Sequence, residues 1–371
     1  MGNWRNGELG NFITLKRGFD LPQQKREDGQ VPIFSSSGIT GTHSTAMVNA
    51  PGVITGRYGT IGEVFYAAED FWPLNTTLFV EDFHGNDAKF IYYFLKTLEW
   101  SKFTSASAVP GINRNTVHKE TVSLPDIETQ RRIASTLSML DEKIKTNTEI
   151  NDNLEQQAHS YFQELFVDNA SPEWTTGTIS DLGTVVGGST PSKAKPEYYT
   201  ESGIAWITPK DLSINESKFI SHGENDITEL GLKNSSAAIM PEGTVLFSSR
   251  APIGYIAIAA GEVTTNQGFK SVVPKPEIGT PFVYFFLKNT LPVIEGMASG
   301  STFKEVSGST MKNVPAVIPD AEILAKFSDF CAPIFAQQRT LEEQNQSLAK
   351  LRDSLLPKLM SGEIDVSAVH L

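Results

Sequence analysis

From Ile127 to Phe166 the chain runs about forty residues without Gly or Pro. Ile133, Leu137, Leu140, Ile144, Asn147, Asn151, Leu154, Ala158, Tyr161 and Leu165 follow one another at alternating steps of four and three. That is a heptad seam, the pattern of a helix laid against one partner helix. Such a helix spans roughly 60 Å at 1.5 Å per residue. A second run, Ala321 to Met360, places Phe327, Cys331, Ile334, Gln338, Leu341, Asn345, Leu348, Arg352, Leu355 and Leu359 at the same steps. Pro333 and Pro357 fall inside it, which predicts a kink or late start near the first and a stop near the second. The two seams are expected to pair antiparallel. Asn147 and Asn151 then lie about level with Gln337 and Gln338 and form a polar waist that fixes register.

Outside these runs the pattern changes to short apolar stretches cut by Gly, Pro and Ser. Val53–Thr55, Glu63–Ala67 and Thr77–Val80 read as strands, and Thr244–Ser248, Tyr255–Ala259 and Lys270–Val273 as their counterparts. A helix is expected over Ala88–Leu98 and another over Phe282–Leu287. The counterparts belong to a repeat of the whole chain. Trp4-Arg5-Asn6-Gly7 recurs as Trp174-Thr175-Thr176-Gly177, and Gly18 is in step with Gly188. Arg57-Tyr-Gly-Thr-Ile-Gly62 recurs as Arg250-Ala-Pro-Ile-Gly254, Asn75 as Asn266, and the apolar stretch from Phe90 as the stretch from Phe282. Pro125-Asp126 and Pro319-Asp320 open the two long helices as start signals. The expected organisation is a module over 1–126, a helix over 127–168, a second module over 169–320, and a helix with tail over 321–371. The fold class is α+β: two mixed α/β modules joined by two long antiparallel coiled-coil helices, with a pseudo-two-fold internal repeat. The tail Gly362–Val366 is expected to add a short strand to the first module.

Composition narrows the function. The chain has 371 residues and a net charge of −12. Residues 1–126, 127–168, 169–320 and 321–371 carry −2, −4, −4 and −2, so no segment is basic. Taken alone this counts against nucleic-acid binding, and any such contact must come from local clusters or a more basic partner. The apolar runs fall far short of the roughly 20 residues that cross a bilayer. The start Met1-Gly2-Asn3-Trp4-Arg5 has no apolar signal core, and the single Cys331, on the seam, fits a buried structural thiol in a reducing cytoplasm.

Two similar heads on a folded-back helix pair suit a two-fold ligand such as duplex DNA, whose half-sites on one face are about 34 Å apart. The ordered double occurrence of the Trp-x-x-Gly start, the Gly59-Thr-Ile-Gly62 turn with its counterpart at 252–254, Asn75 with Asn266, and the Pro-Asp helix starts resembles the specificity subunits of type I restriction–modification systems, as does Gln130-Arg-Arg-Ile133. The likeness covers essentially the whole chain, with one departure: Leu324-Ala-Lys-Phe327 stands where that family keeps a Gln-x-x-Ile pattern. The resemblance implies two target recognition domains and a non-catalytic subunit that reads an asymmetric, bipartite site on double-stranded DNA. It also implies two methyltransferase subunits bringing S-adenosylmethionine, and restriction subunits using ATP and Mg²⁺. No cofactor is expected on this chain itself, and no membrane partner. The acidic total keeps a second reading open, a two-headed protein-assembly scaffold that never touches DNA.

Base readout uses forked donors and amides, while positioning uses cations and hydroxyls on phosphates. In the first module the candidates are Lys16, Arg17, Lys25, Arg26, Ser36, Thr42, Arg57, Tyr58, Thr76, Asn113 and Arg114. In the second they are Lys193, Lys195, Thr208, Lys210, Ser249, Arg250, Gln267, Thr302 and Lys304. Arg57 and Arg250 are favoured because both sit between a strand and a Gly turn at the same place in the repeat; the same place also suits an arginine bracing its turn. Tyr92–Phe94 and Tyr284–Phe286 read as helix core rather than stacking platforms. An enzyme reading finds little support. Asp126 and Asp141-Glu142-Lys143 imitate a nuclease pattern but are separated by about 22 Å of helix rise. The six His residues lack metal-ligand spacing, and there is no phosphate loop or dinucleotide fingerprint.

Overall fold

The computed structural model describes residues 3–104, 110–300 and 304–366. It divides into two compact units, Met1–Lys145 with Gln346–Leu371, and Thr146–Asn345. The first long helix spans Ile127–Gln163 and runs on into a π turn over Glu164–Asp168. The second is one helix over Ala321–Met360. Every seam position named above is buried or half-buried in it and its partner. The late start allowed for at Pro333 is absent, since the helix runs through it unbroken, and the end falls three residues beyond Pro357. A proline in a helix interior costs about 3 kcal/mol. Ile334 and Phe335 next to it are buried in the second unit's core, and burial of two such side chains at about 1.5–3 kcal/mol each offsets that loss.

The helices run antiparallel within each unit. In the first, Arg352 donates to Asp141 at 2.7 Å, and Ile133 and Leu137 share a core with Leu355 and Leu359. In the second, Asn147 donates to Asn345 at 2.9 Å and Asn151 and Gln338 exchange side chain-to-backbone bonds at 3.4 and 3.2 Å. The polar waist is therefore present, and Gln338 faces Asn151 as expected. Asn147 is instead level with Gln344 and Asn345, about one heptad from the position read off the sequence. The helix starts differ in chemistry. Asp126 caps the first helix through the Thr129 amide at 2.9 Å, and buried Gln130 donates to Asn86 and to the Pro125 carbonyl while accepting from the Asp87 amide. At the matching place in the second helix stands Leu324, 2% exposed, so apolar packing replaces that polar clasp.

The first unit has a four-stranded antiparallel sheet in the order Thr14–Arg17, Thr77–Asp82, Gly52–Gly56, Val64–Ala67. Beside it lies a three-stranded sheet, Gly38–His43, Val31–Ser35, Trp72–Pro73, the last pair parallel. The second unit repeats the first order as Gly183–Gly187, Lys270–Pro274, Val245–Ser249, Ile253–Ala259, and adds Phe219–Ile220 as a parallel edge. Its other sheet is Tyr199–Thr200, Asn225–Ile227, Ile204–Ile207, Thr264–Thr265, again ending in a parallel pair. Arg5–Glu8 pairs with Thr121–Leu124, and Thr175–Thr178 with Pro315–Ile318, which closes each module at the foot of its helix. The strands expected from sequence are all present, with ends within two residues of the expected ones: four are longer by one or two residues, Val64–Ala67 is one shorter, and Val245–Ser249 is shifted by one; the helices are Ala88–Lys96 and a longer Thr280–Met297.

Glycine pairs mark the repeat physically. A Cβ on Gly18 would lie 2.2 Å from the Leu74 carbonyl, and one on Gly188 would lie 2.0 Å from the Asn266 carbonyl. Both strands can approach the neighbouring turn only without a side chain. Gly62 and Gly254 take φ of +85° and +97°, a conformation costly for other residues. The tail forms no strand. Ile364 donates its amide to the Lys358 carbonyl at 3.2 Å, and Val366 is buried in the first core. Helix end and tail thus bury apolar side chains without needing a sheet edge.

A buried ionic cluster ties the second sheet to the helices. Lys218, with 6% of its side chain exposed, donates to Glu155 at 2.7 Å and to Gln338 at 2.9 Å, and its ammonium sits 3.5 Å from the Phe335 ring centre. Glu155 also accepts from Lys288 at 2.6 Å and from Tyr284 at 3.1 Å. Glu342 accepts the backbone amides of Lys218 and Phe219 at 2.8 and 3.0 Å. Burial pushes the Lys218 ammonium down to about 8 against the pull of Glu155. Burial raises the Glu155 carboxyl, but the two ammoniums outweigh it and carry it down to about 2. Cys331 is fully buried nearby, its thiol pushed up to about 12 by burial, as a structural thiol should be. Tyr93, Phe94, Tyr284 and Phe285 are buried in the two cores, as read from the sequence.

Candidate nucleic-acid interface

In the first unit, the end of strand Thr14–Arg17, the turn after Gly52–Gly56 and the start of the short helix Arg114–His118 enclose a cleft of about 470 Å³. Arg17, Arg57, Tyr58, Asn113, Arg114 and Asn115 line it over a floor of Leu78 and Ile112. The turn is held at several points. The Thr76 carbonyl accepts the amides of Arg57 at 2.8 Å and Tyr58 at 3.2 Å, and the Arg57 carbonyl accepts from Ile112 at 3.1 Å. The Arg57 guanidinium lies over the Tyr58 ring, 4.4 Å from its centre. Asn113 uses its side-chain oxygen to cap the helix, accepting from the Asn115 amide at 3.0 Å. At the end of that helix, His118 accepts the Leu15 amide at 2.9 Å, and burial together with Arg114 lowers its pKa, in keeping with a neutral acceptor.

The matching place in the second unit holds a larger cleft of about 720 Å³, and Lys193, Thr208, Lys210, Arg250 and Gln267 meet there. Trp206 and Tyr199 form one wall, edge to face at 5.7 Å, with the indole N–H donated to the Ser189 carbonyl at 3.0 Å. Asp211 is buried and fully engaged: it accepts the Thr208 amide at 2.7 Å, the Thr208 hydroxyl at 2.6 Å and the Glu224 amide at 2.8 Å. Lys210 pairs with Glu224 at 2.6 Å, which raises its pKa. Arg250 is 3.6 Å from Glu305, which also approaches Lys270 at 3.8 Å. The cations of this cleft are thus partly neutralised.

The remaining sequence candidates fall elsewhere. Lys16 pairs with Glu81, Lys25 is exposed, and Arg26 donates to the Thr40 carbonyl at 3.2 Å. Ser36 lies beside the Gly56–Gly59 turn, and Thr42 is exposed on Gly38–His43. Thr76 contributes its carbonyl rather than a contact side chain, and its hydroxyl oxygen is buried. Ser249 corrects the expectation for it: it is fully buried and donates its hydroxyl to the Gly268 carbonyl at 3.0 Å, because it faces inward at a strand end. The Thr208 hydroxyl is likewise spent on its cap. Lys195 lies over Tyr198 at 5.3 Å outside the cleft, Lys304 is exposed, and Thr302 lies outside the described residues. Asn266 accepts the Gly268 amide at 2.8 Å as a turn former, and Asn75 bonds to Asp20. Trp206, Tyr199, Glu224 and Asn225 were missed. Thr208-Pro-Lys-Asp211 did carry a signal, the capping-box spacing with Pro in the first helical turn.

Asp126 and Asp141, the nuclease imitation, serve as a helix cap and as the partner of Arg352 and Tyr93. No group of three or more His, Cys, Asp or Glu among the described residues could hold a metal ion. No helix among them is long and apolar enough to cross a membrane.

Comparison with known proteins accords with the repeat. The family profile described as type I restriction modification DNA specificity domain matches residues 1–156 and again 172–349. The type I restriction enzyme MjaIX specificity subunit of Methanocaldococcus jannaschii is 39% identical over 192 residues, 51% of this chain and 44% of that protein, so the match spans less than half of its length. The HindI specificity subunit of Haemophilus influenzae is 25% identical over 347 residues, covering 72% of this chain and 75% of that one. Among solved structures, the type I restriction–modification S subunit from M. genitalium superposes with a TM-score of 0.65 over 96% of both chains at 18% identity, which is a likeness of fold.

Proposed function

The chain belongs to the type I restriction–modification DNA specificity family, and from that premise we propose that it reads a bipartite, asymmetric target on double-stranded DNA, one part with each unit. It is not itself a catalyst. It associates with two methyltransferase subunits and directs restriction subunits, and S-adenosylmethionine, ATP and Mg²⁺ reside on those partners. The observation that carries the reading is the recurrence of one sheet order in both units with an arginine-bearing cleft at the same place, Arg57 in one and Arg250 in the other. A repeated frame supports two readers. Unlike cleft walls support two unlike half-sites. Local guanidinium clusters answer the objection raised by a net charge of −12.

The test is to co-express the chain with its methyltransferase partner and map methylated positions across a genome. A split motif is expected, with one half altered by Arg250→Ala and the other by Arg57→Ala. In binding assays the complex should lose affinity steeply with salt while keeping a sequence preference. A protein-assembly scaffold would give no motif and no sequence preference, and either result would end the DNA-reading proposal.

A further inference from the structure

The two clefts differ in what their cations are doing. In the second, Arg250 and Lys210 face Glu305 and Glu224. In the first, no carboxylate lines the cleft among the described residues, and the structure records no ion pair there for Arg17, Arg57 or Arg114. Arg17 and Arg114 are exposed, whereas Arg57, which lines the same cleft, is half-buried. Its backbone is fixed by Thr76 and Ile112 and its guanidinium carbon lies over the Tyr58 ring, 4.4 Å from its centre. A cation–π contact on a fixed backbone restricts the fork before any ligand arrives, so less freedom is lost on binding. A planar fork with two parallel N–H donors matches O6 and N7 of guanine in the major groove. Adenine would need an amide offering both its oxygen and its nitrogen. Of the two amides in the cleft, Asn113 has committed its oxygen to the Asn115 backbone amide, and Asn115 is exposed on the short helix without the aromatic backing that Arg57 has.

Building on the DNA-reading assignment, we infer that the half-site taken by the first unit contains a guanine read through its O6 and N7 by Arg57, with Arg17 and Arg114 on flanking phosphates. Arg57 is then the specificity-determining residue of that half.

The experiment uses the complex of this chain with its methyltransferase partner. Methylation mapping is done for the wild type, Arg57→Lys and Gln267→Ala. Lysine keeps the charge and loses the fork. Arg57→Lys is expected to relax one guanine position in one half of the motif, lowering its preference over other bases by roughly 10-fold or more. Gln267→Ala should leave that guanine untouched. As a second arm needing no variant, the wild-type complex is titrated with duplexes carrying 7-deazaguanine at that position. Loss of N7 is expected to weaken binding about 10-fold. The inference is overturned if the first unit's half contains no guanine, if Arg57→Lys lowers methylation with base preferences unchanged, or if 7-deazaguanine binds as guanine does. A wild-type complex that methylates no split motif overturns the DNA-reading assignment itself, and this inference with it.

Discussion

Exchanging Lys218 for Met takes one ammonium out of the cluster that joins the second sheet to the helices, and keeps a similar apolar length against Phe335. What remains is Glu155, 23% exposed at its side chain, with Lys288 still 2.6 Å away and Tyr284 at 3.1 Å. Removing one partner of a buried ion pair costs about 3–5 kcal/mol. The surviving Lys288 contact places this site at the lower end. The two partners feel the burial differently: the ammoniums hold the Glu155 carboxyl below its ordinary value, whereas burial outweighs the pull of Glu155 and lowers Lys218, so the size of the loss rests on the 2.7 Å contact and its burial. Because burial penalises both charges, removing both together forfeits little, whereas removing one leaves the other uncompensated. Lys218→Met should therefore lose about 3 kcal/mol, and Lys218→Met with Glu155→Gln should recover to within about 1 kcal/mol of wild type. At about 2–4 °C per kcal/mol for a unit of this size, the single variant's second unit should melt roughly 6–12 °C lower. Hydrogen exchange at the Lys218 and Phe219 amides, which donate to Glu342, reads that unit separately from the first. A single variant that melts within about 2 °C of wild type, or a double variant less stable than the single, would refute the reasoning.

Three further outcomes are expected. The stability difference between wild type and Glu155→Gln should be constant from about pH 5 to about pH 7, below the point where Lys218 loses its proton, and shrink by about 3 kcal/mol as pH falls toward 2, because a carboxyl held low in the folded state lends stability only while ionised; a difference independent of pH over that acid range in urea titrations would contradict this. Asn147→Leu with Asn345→Leu should raise stability by about 1 kcal/mol while allowing the helices to slip, read by cysteine cross-linking at paired seam positions; unchanged register and lower stability would dismiss the waist as a register device. Arg17→Ala with Arg114→Ala should flatten the slope of log affinity against log salt by about 1.8 with base preference intact; an unchanged slope would remove both from the phosphates.

Much of the frame was readable because it rests on periodicity. The seams alternate four and three, and Leu137, Ala158, Cys331 and Leu341 are buried where that spacing puts them. The repeat was readable because close approaches such as those at Gly18 and Gly188 leave no alternative residue. The helix register was not, since a seam with polar residues at 147, 151, 338 and 345 can be matched a heptad apart, and side-chain reach decides. Pro333 misled because local propensity was weighed without the packing of Ile334 and Phe335. The site was legible only in part. Arg57, Arg250 and Gln267 reached clefts from their place in the repeat, while Ser249 turned inward and Thr208 became a cap. Lys218 gave no local sign of burial, since its partners Glu155 and Gln338 are 63 and 120 residues distant in the chain.

The cap residue Asn113 and the box of Thr208 with Asp211 place helix starts at the mouths of the two clefts, on side chains that belong to neither core. Asn113 is exposed, whereas Asp211 is buried and bonded three times, so the first mouth can accept substitution without disturbing the strands beneath and the second is tied to them. Under the DNA-reading proposal, a lineage of such chains would rewrite its word most freely at the first rim, and keep its grammar, the helices and sheets, as inherited.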